Sequence, residues 1–464
     1  MDLSDETARA AVTARLGQVY AGRPVILGPG ILAGYTALVA RYRELGCTVL
    51  VVSTGRGAGP VPDDDCTVVE IELPPTASMT EELRLLDRVA RSLPPHAVSA
   101  IEAFDPEQRG IWDTSPFVTS DEPLLGRPVT GGRPASYLAL EDKMLADQIW
   151  AAADVPCAPY RIVETDAAAL AEASTALATP MGVVWSGDAR DGMNGGGNFV
   201  RWVMDEQDRA TAFEFFAPRC DRVRVMPFLD GVPCSIHGIV LPDGTAAFRP
   251  VELAILRDIP GRRFVYGGLS TWWDPPAVDR AEMRAVVRRV GAHLAAAHDY
   301  RGAFGIDGVL TADGFLPTEL NTRMSAGVTT IANAAPDLFA LVHKHLVGGI
   351  DVDLTVADLE SLVPVMDAHR TGRPSAVGQG TSIGDTFSHG VSYDGFRLTR
   401  SEDETGSLLM AADTPVGFFS KIDPCTLLSP GERLAPLNVA LLAYLDAEYG
   451  TGFGPLVPAP DLRT

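Results

Sequence analysis

The sequence predicts a mixed α/β and α+β chain in three parts: a doubly wound α/β domain, a two-lobed middle domain and an extra C-terminal α+β domain. Three observations carry this. Strand and helix patterns alternate β-α-β-α-β over about the first hundred residues, the order that gives a parallel sheet. From 221 to 268, and again from 304 to 321, strand patterns follow one another across short turns, the mark of antiparallel pairing. After 351 the pattern changes to Gly-, Ser- and Thr-rich stretches with short strands. The expected parts are 1–130, 131–350 (with a small lobe at about 157–225) and 351–464.

In order, a helix is expected near 5–20 and a strand at 24–27 that ends in Gly28-Pro-Gly30. A helix follows at 31–45, then an apolar strand at 48–53, a loop at 55–60 and a strand at 67–73. Ser78-Met-Thr-Glu81 resembles a capping box opening a helix to about 93. A strand is expected at 97–103. Residues 104–133, rich in Pro, Gly and Asp, read as an irregular connection. One helix is expected over 135–153, with Lys143 in it; taken singly, Lys143 reads as a solvated helix lysine. The Gly28-Pro-Gly30 turn lacks the spacing of a dinucleotide loop and reads as a structural turn.

A small α+β unit follows, with strands at 181–185, 198–203 and 221–228 and helices near 166–177 and 205–217. Its loop, 187–198, contains Gly192-Met-Asn-Gly-Gly-Gly197. Four glycines in six residues make a flap whose N–H groups could turn onto phosphates; the alternative is a plain linker. Antiparallel strands and a long helix at 276–297 lead to the stretch around which the chain is organised, 304–323. Residues 305–310 and 315–320 form two strands about the Ala312-Asp-Gly314 turn. Glu319 and Asn321 are two apart and share a strand face, with Asp307 able to oppose them. Two carboxylates and an amide oxygen suit Mg²⁺ with phosphates attached, and Arg323 could grip a phosphate oxygen. Read alone, the stretch is also compatible with a solvated hairpin.

Composition narrows the partners. The chain has 464 residues, 46% hydrophobic and 21% charged, as in an ordinary globular protein. A formal net charge of -22 argues against nucleic acid, because phosphate neutralisation needs a basic surface. Cys47, Cys66, Cys157, Cys220, Cys234 and Cys425 show no CxxC pairing and read as reduced structural thiols. The acidic start Met1-Asp-Leu-Ser-Asp-Glu6 is unlike a signal peptide, and no apolar run is long enough to span a bilayer. No membrane partner and a cytoplasmic location are therefore expected; a homodimer is left open.

The order of these elements resembles the ATP-grasp superfamily. The resemblance covers roughly 135–350 and rests on Lys143, the flap Trp185-Ser-Gly-Asp-Ala-Arg-Asp-Gly-Met-Asn-Gly-Gly-Gly197, the Met226-Pro-Phe-Leu229 stretch and the Asp307…Glu319-x-Asn321-x-Arg323 hairpin. The first part looks like the flavodoxin-like domain that precedes the grasp in those enzymes. The overall layout, the flap and the extra C-terminal domain are most similar to peptide ligases of the pheganomycin type. The resemblance implies ATP and Mg²⁺ (or Mn²⁺) as cofactors. Asp307, Glu319 and Asn321 match metal ligands. Lys143 matches the first nucleotide lysine, and Trp185, Asn194, Gly195, Gly196 and Gly197 lie in the phosphate-closing segment. Met226, Pro227, Phe228 and Leu229 match the adenine hinge, with Asp230 a candidate for the ribose.

The departures concern charge. Where the family has a second ATP lysine, this chain has Val184-Trp185. The hinge lacks its glutamate, and Gly231-Val-Pro233 replaces the usual Gly-x-Glu. Other cations must then meet the phosphates: Arg323 and Arg257 are the catalytic candidates, with Arg249 and Arg262 as further ones. The implied chemistry is ATP-dependent ligation of a small carboxylic acid to an amine or peptide through an acylphosphate, in peptide natural-product (antibiotic) biosynthesis. The alternatives are a non-amine acceptor, such as a carrier-protein thiol or a carboxylation, and a non-catalytic ATP-binding protein.

Overall fold

The computed structural model describes residues 1–63 and 66–463. The N-terminal part contains α1 (Glu6–Gly17), β1 (Pro24–Gly30), α2 (Thr36–Glu44), β2 (Thr48–Ser53) and β3 (Thr67–Glu70), then α3 (Met79–Arg91), α4 (Pro95–Phe104), β4 (Ile111–Asp113) and β5 (Val129–Thr130). The strands form one sheet in the order β3-β2-β1-β4-β5, every pair parallel. Val49 to Val52 are buried on both faces, as a covered parallel strand requires.

Two expectations fail in this region. Residues 95–104 are a helix, not a strand at 97–103. Pro95 sits at the first helical position, where its missing N–H costs nothing, and Ala97 and Ile101, four apart, are the buried pair. The stretch at 104–133 is not wholly irregular either; it supplies β4 and β5, which finish the sheet.

The middle part opens with α5 (Ala135–Ala139) and α6 (Lys143–Ala152). The single helix expected at 135–153 is thus broken. Asp142 is extended and its carboxylate accepts from the Met144 N–H, so it caps a new helix instead of continuing the old one. The break leaves Glu141 in the junction and Lys143 at the start of α6. The small lobe comprises β6 (Arg161–Glu164), α7 (Ala167–Leu177), β7 (Val183–Gly187), β8 (Val200–Val203), α8 (Glu206–Phe216) and β9 (Arg222–Pro227). Its antiparallel sheet runs β6-β9-β7-β8 over a core that includes Leu170, Val183, Trp185, Phe216 and Val223.

The large lobe carries β10 (Val232–Leu241), β11 (Gly244–Ala247), β12 (Val251–Asp258), β13 (Arg263–Ser270), α9 (Ala277–His298), β14 (Gly302–Thr311) and β15 (Gly314–Asn321). Helices α10 (Ala326–Ile331), α11 (Pro336–Val347), α12 (Val356–Glu360) and α13 (Val363–Ala368) follow. The chain ends with β16 (Gly372–Gln379), β17 (Phe387–Tyr393), β18 (Leu398–Arg400), β19 (Leu408–Thr414), β20 (Gly417–Ile422) and α14 (Leu434–Tyr449). One sheet runs through both segments: β15-β14-β10-β12-β13-β16-β20-β19-β17-β18. The join is antiparallel pairing of 268–270 with 372–374. Among the described residues no helix is long and apolar enough to cross a membrane.

Candidate active site

The expected hairpin forms. β14 and β15 pair antiparallel, and Asp307 stands opposite Glu319 across one rung, with Asn321 opposite Gly305. The Asn321 Nδ2 donates to Asp307 Oδ2 at 3.0 Å. Burial, and next the charge of Glu319, push the Asp307 carboxyl up to about 7, against the opposing pull of Arg323 and Lys143. The donor set, two carboxylates and a side-chain amide, fits a hard divalent cation. Among the described residues no group of three His, Cys, Asp or Glu could hold a metal; here the third donor is the amide.

Lys143 reaches this rung. Its Nζ is 2.5 Å from Glu319 Oε2, and it is 7% exposed. A helix lysine this buried is not a solvated one. Its position follows from the α5–α6 break, which aims the first residue of α6 at β15.

Arg323 follows β15 and makes an ion pair with Glu141. Arg133 shares that carboxylate, through Nη2 to Oε2 at 3.1 Å. Burial alone would raise the Glu141 carboxyl, but Arg323 and Arg133 outweigh it and hold it below the usual range. Glu141 therefore fixes Arg323 in place. The sequence gives little sign of this role, since Glu141 and Arg323 are 182 positions apart.

The hinge forms a second group. Met226 and Phe228 are each 5% exposed. The Phe228 ring centroid lies 4.8 Å from that of Trp202 and 6.0 Å from that of Phe264. Arg257 covers Phe228 at 4.9 Å and donates to Asp230 Oδ1 at 2.8 Å. Arg257 is therefore bound to the 226–230 segment, while Arg323 lies at the end of the β14–β15 hairpin. Arg262 lies over Trp202. Arg249 is 1% exposed, 3.1 Å from Asp367 and 3.6 Å from Asp274.

Trp185 does not join these residues. It is 1% exposed in the small-lobe core, and its Nε1 donates to Ser174 Oγ at 2.9 Å. Strand alternation turns its neighbours the other way. That opposite face carries a cation the sequence reading missed: Arg224, opposite Ser186 on β9. Arg224 donates to both Asp147 oxygens, Nε at 2.6 Å and Nη2 at 2.5 Å, and to the Thr318 carbonyl at 3.1 Å. It ties the small lobe to α6 and to the β14–β15 hairpin. Its signal was the alternation Arg222-Val-Arg224-Val, which puts both arginines on one face.

Asn194, Gly195, Gly196 and Gly197 lie in the flap. Among the described residues, no backbone N–H of 193–197 donates a hydrogen bond within the protein, so these donors are available to an anion. The flap reaches the Arg323–Glu141 pair through Met193, whose Sδ accepts from Arg133 Nη2 at 3.7 Å.

No protein-family model matches the chain, and no curated protein matches it in sequence. Solved structures do. A carboxyaminoimidazole ribonucleotide synthase from Aspergillus clavatus, complexed with ATP, superposes with a TM-score of 0.53 at 14% identity, covering 93% of this chain and 99% of that one. The phosphoribosylamine–glycine ligase of Thermotoga maritima gives 0.51 at 14% identity, over 94% and 97%. An Aspergillus clavatus N5-carboxyaminoimidazole synthase with ADP and 5-aminoimidazole ribonucleotide gives 0.50 at 13%, over 92% and 99%. The likeness extends to nearly the full length of each. It shows the fold, a parallel sheet joined to a large antiparallel sheet as in ATP-grasp ligases.

Proposed function

We propose that the chain is an ADP-forming, ATP-dependent carbon–nitrogen ligase of the ATP-grasp type. It would join a small carboxylic acid to an amine or peptide, with peptide natural-product assembly of the pheganomycin type as its setting. The observation that carries this is the Asp307–Glu319 rung with Asn321, Lys143 and the Arg323–Glu141 pair around it. The likeness of fold supports it.

A carboxylate is a poor electrophile and must be activated before an amine can attack. Its oxygen takes the terminal phosphoryl group of ATP, the bond to the bridging oxygen breaks, and ADP leaves. Little covalent work falls to the protein, whose part is positioning and charge. Asp307, Glu319 and Asn321 would hold Mg²⁺, which neutralises phosphate charge when bound. Lys143 and Arg323 face the same end. Arg323 is held by Glu141, so it meets developing charge without reorganising. The flap N–H groups cover the phosphates and keep water from the acylphosphate. The amine nitrogen then bonds to the acyl carbon, the carbon–oxygen bond to phosphate breaks, and the amine proton leaves with the phosphate.

The test is ADP release that requires both an acid and an amine, run across an acceptor panel. Glu319→Gln should lower it by about 10²-fold or more; undiminished release in that variant would sink the assignment. A second reading, an ATP-binding protein without catalysis, is favoured by Trp185 standing in the lobe core where a lysine is usual. Tight ATP binding with no phosphate released for any acid–amine pair would support it.

A further inference from the structure

Helix α3 of the N-terminal domain grips the flap by its carbonyl side. Arg84 Nε donates to the Met193 carbonyl at 2.8 Å, and Nη2 donates to the Gly192 carbonyl at 3.2 Å and to Asn194 Oδ1 at 2.7 Å. Thr80 is 1% exposed. Its hydroxyl donates to the Gly195 carbonyl at 2.6 Å, and its N–H donates to Asn198 Oδ1 at 3.2 Å. Packing is equally close: a Cβ on Gly195 would lie 2.7 Å from Leu83 Cδ1, and one on Gly196 would lie 2.8 Å from Met79 Cγ. From the C-terminal segment, Gln379 Oε1 accepts from Asn198 Nδ2 at 3.0 Å.

The peptide plane turns these contacts into an orientation. In a trans peptide the C=O of one residue and the N–H of the next point in opposite directions. With the carbonyls of 192, 193 and 195 fixed on α3, the N–H groups of Met193, Asn194 and Gly196 point away from it. All three are among the backbone donors of 193–197 that have no partner within the described protein.

We propose that Arg84 and Thr80 are positioning residues: they dock the flap on the N-terminal domain and so present its N–H groups to the phosphates of a bound nucleotide. The docking is independent of the ligase reading, whereas the role of the N–H groups rests on it. Substituting a charged donor of three hydrogen bonds should release the loop by about tenfold or more.

Two measurements test this on the full chain. The first is limited proteolysis without nucleotide, with cuts mapped by mass spectrometry. Arg84→Ala and Thr80→Val should be cut within 188–198 at least tenfold faster than wild type, with Arg84→Lys between. An Arg84→Ala protein with a wild-type circular dichroism spectrum and a wild-type cutting rate overturns the docking. The second is calorimetric titration with ATP and with adenosine. Arg84→Ala should weaken ATP about tenfold and leave adenosine within twofold, with Arg84→Lys recovering most of the loss. Equal weakening of both ligands overturns the orienting role. A wild-type protein that binds no ATP overturns the ligase reading and that role together, and the proteolysis then decides the docking on its own.

Discussion

At Asp307 a half-buried carboxylate stands opposite a second carboxylate, and desolvation with the Glu319 charge raises its pKa to about 7. A carboxyl raised in the folded state contributes stability below its unfolded value and loses that contribution as pH rises through about 7. Asp307→Asn removes the charge but keeps the shape. Without nucleotide or metal, the variant should therefore melt higher than wild type at pH 8, and the gap should narrow at pH 5. ADP release in the assay of the proposed ligation should fall by about 10²-fold or more. A protein that loses turnover but gains no stability at pH 8 would show that Asp307 is not strained in the free state. This residue was legible in the sequence because its partners lie within one hairpin of 20 residues. Trp185 was not: its position in the motif is the same whichever face it takes, and only the packing of α7 and α8 draws it into the core.

At the scale of elements, α6 is the hub that the local pattern concealed. Its apolar spacing continues that of α5, so one long helix was expected; the Asp142 cap decided otherwise. The new helix presents Lys143 to β15 and Asp147 to β9. Asp147 and Arg224 are 0% and 1% exposed, so removing one partner strands the other's charge. Asp147→Ala should cost about 3–5 kcal/mol in urea unfolding. The double change Asp147→Leu with Arg224→Met should cost much less, because burying two apolar groups leaves no unpaired charge, although the Thr318 carbonyl loses its donor. If single and double variants cost the same, the pair is not what joins the lobes. The helix at 95–104 is a different failure. Its alanine-rich, apolar run suits a strand or a helix, and the deciding signal was Pro95 at the first turn. The strands β1–β3, those of the small lobe and the hairpin were readable because each is a short β-prone run bounded by turn or helix signals.

At the scale of the whole molecule, the change of sequence pattern near 351 does not mark the edge of a sheet. β13 pairs with β16, and α14 lies over β12, β13 and β16 with Leu437 and Leu441 in one core with Ala254 and Leu256. The contact is polar as well as apolar. Glu252, 0% exposed, accepts from Arg433 Nε and from the Leu434 N–H at 2.6 Å each, at the start of α14. Such pairing is beyond the reach of local pattern, since Glu252 and Arg433 are 181 positions apart. A chain ending at 350 would expose the β13 edge, uncover the apolar face of β12 and leave the Glu252 carboxylate without its donors. An unpaired edge beside an apolar face favours aggregation. The fragment 1–350 should therefore be insoluble or lack a cooperative transition in urea, even though it contains the β14–β15 hairpin, Lys143 and the 226–230 segment. Arg433→Ala in the full chain should fold but lose about 1–3 kcal/mol, the cost of taking one donor from a buried charged acceptor. A soluble 1–350 fragment with a sharp unfolding transition would show that the C-terminal strands only extend a sheet that is already complete at β13.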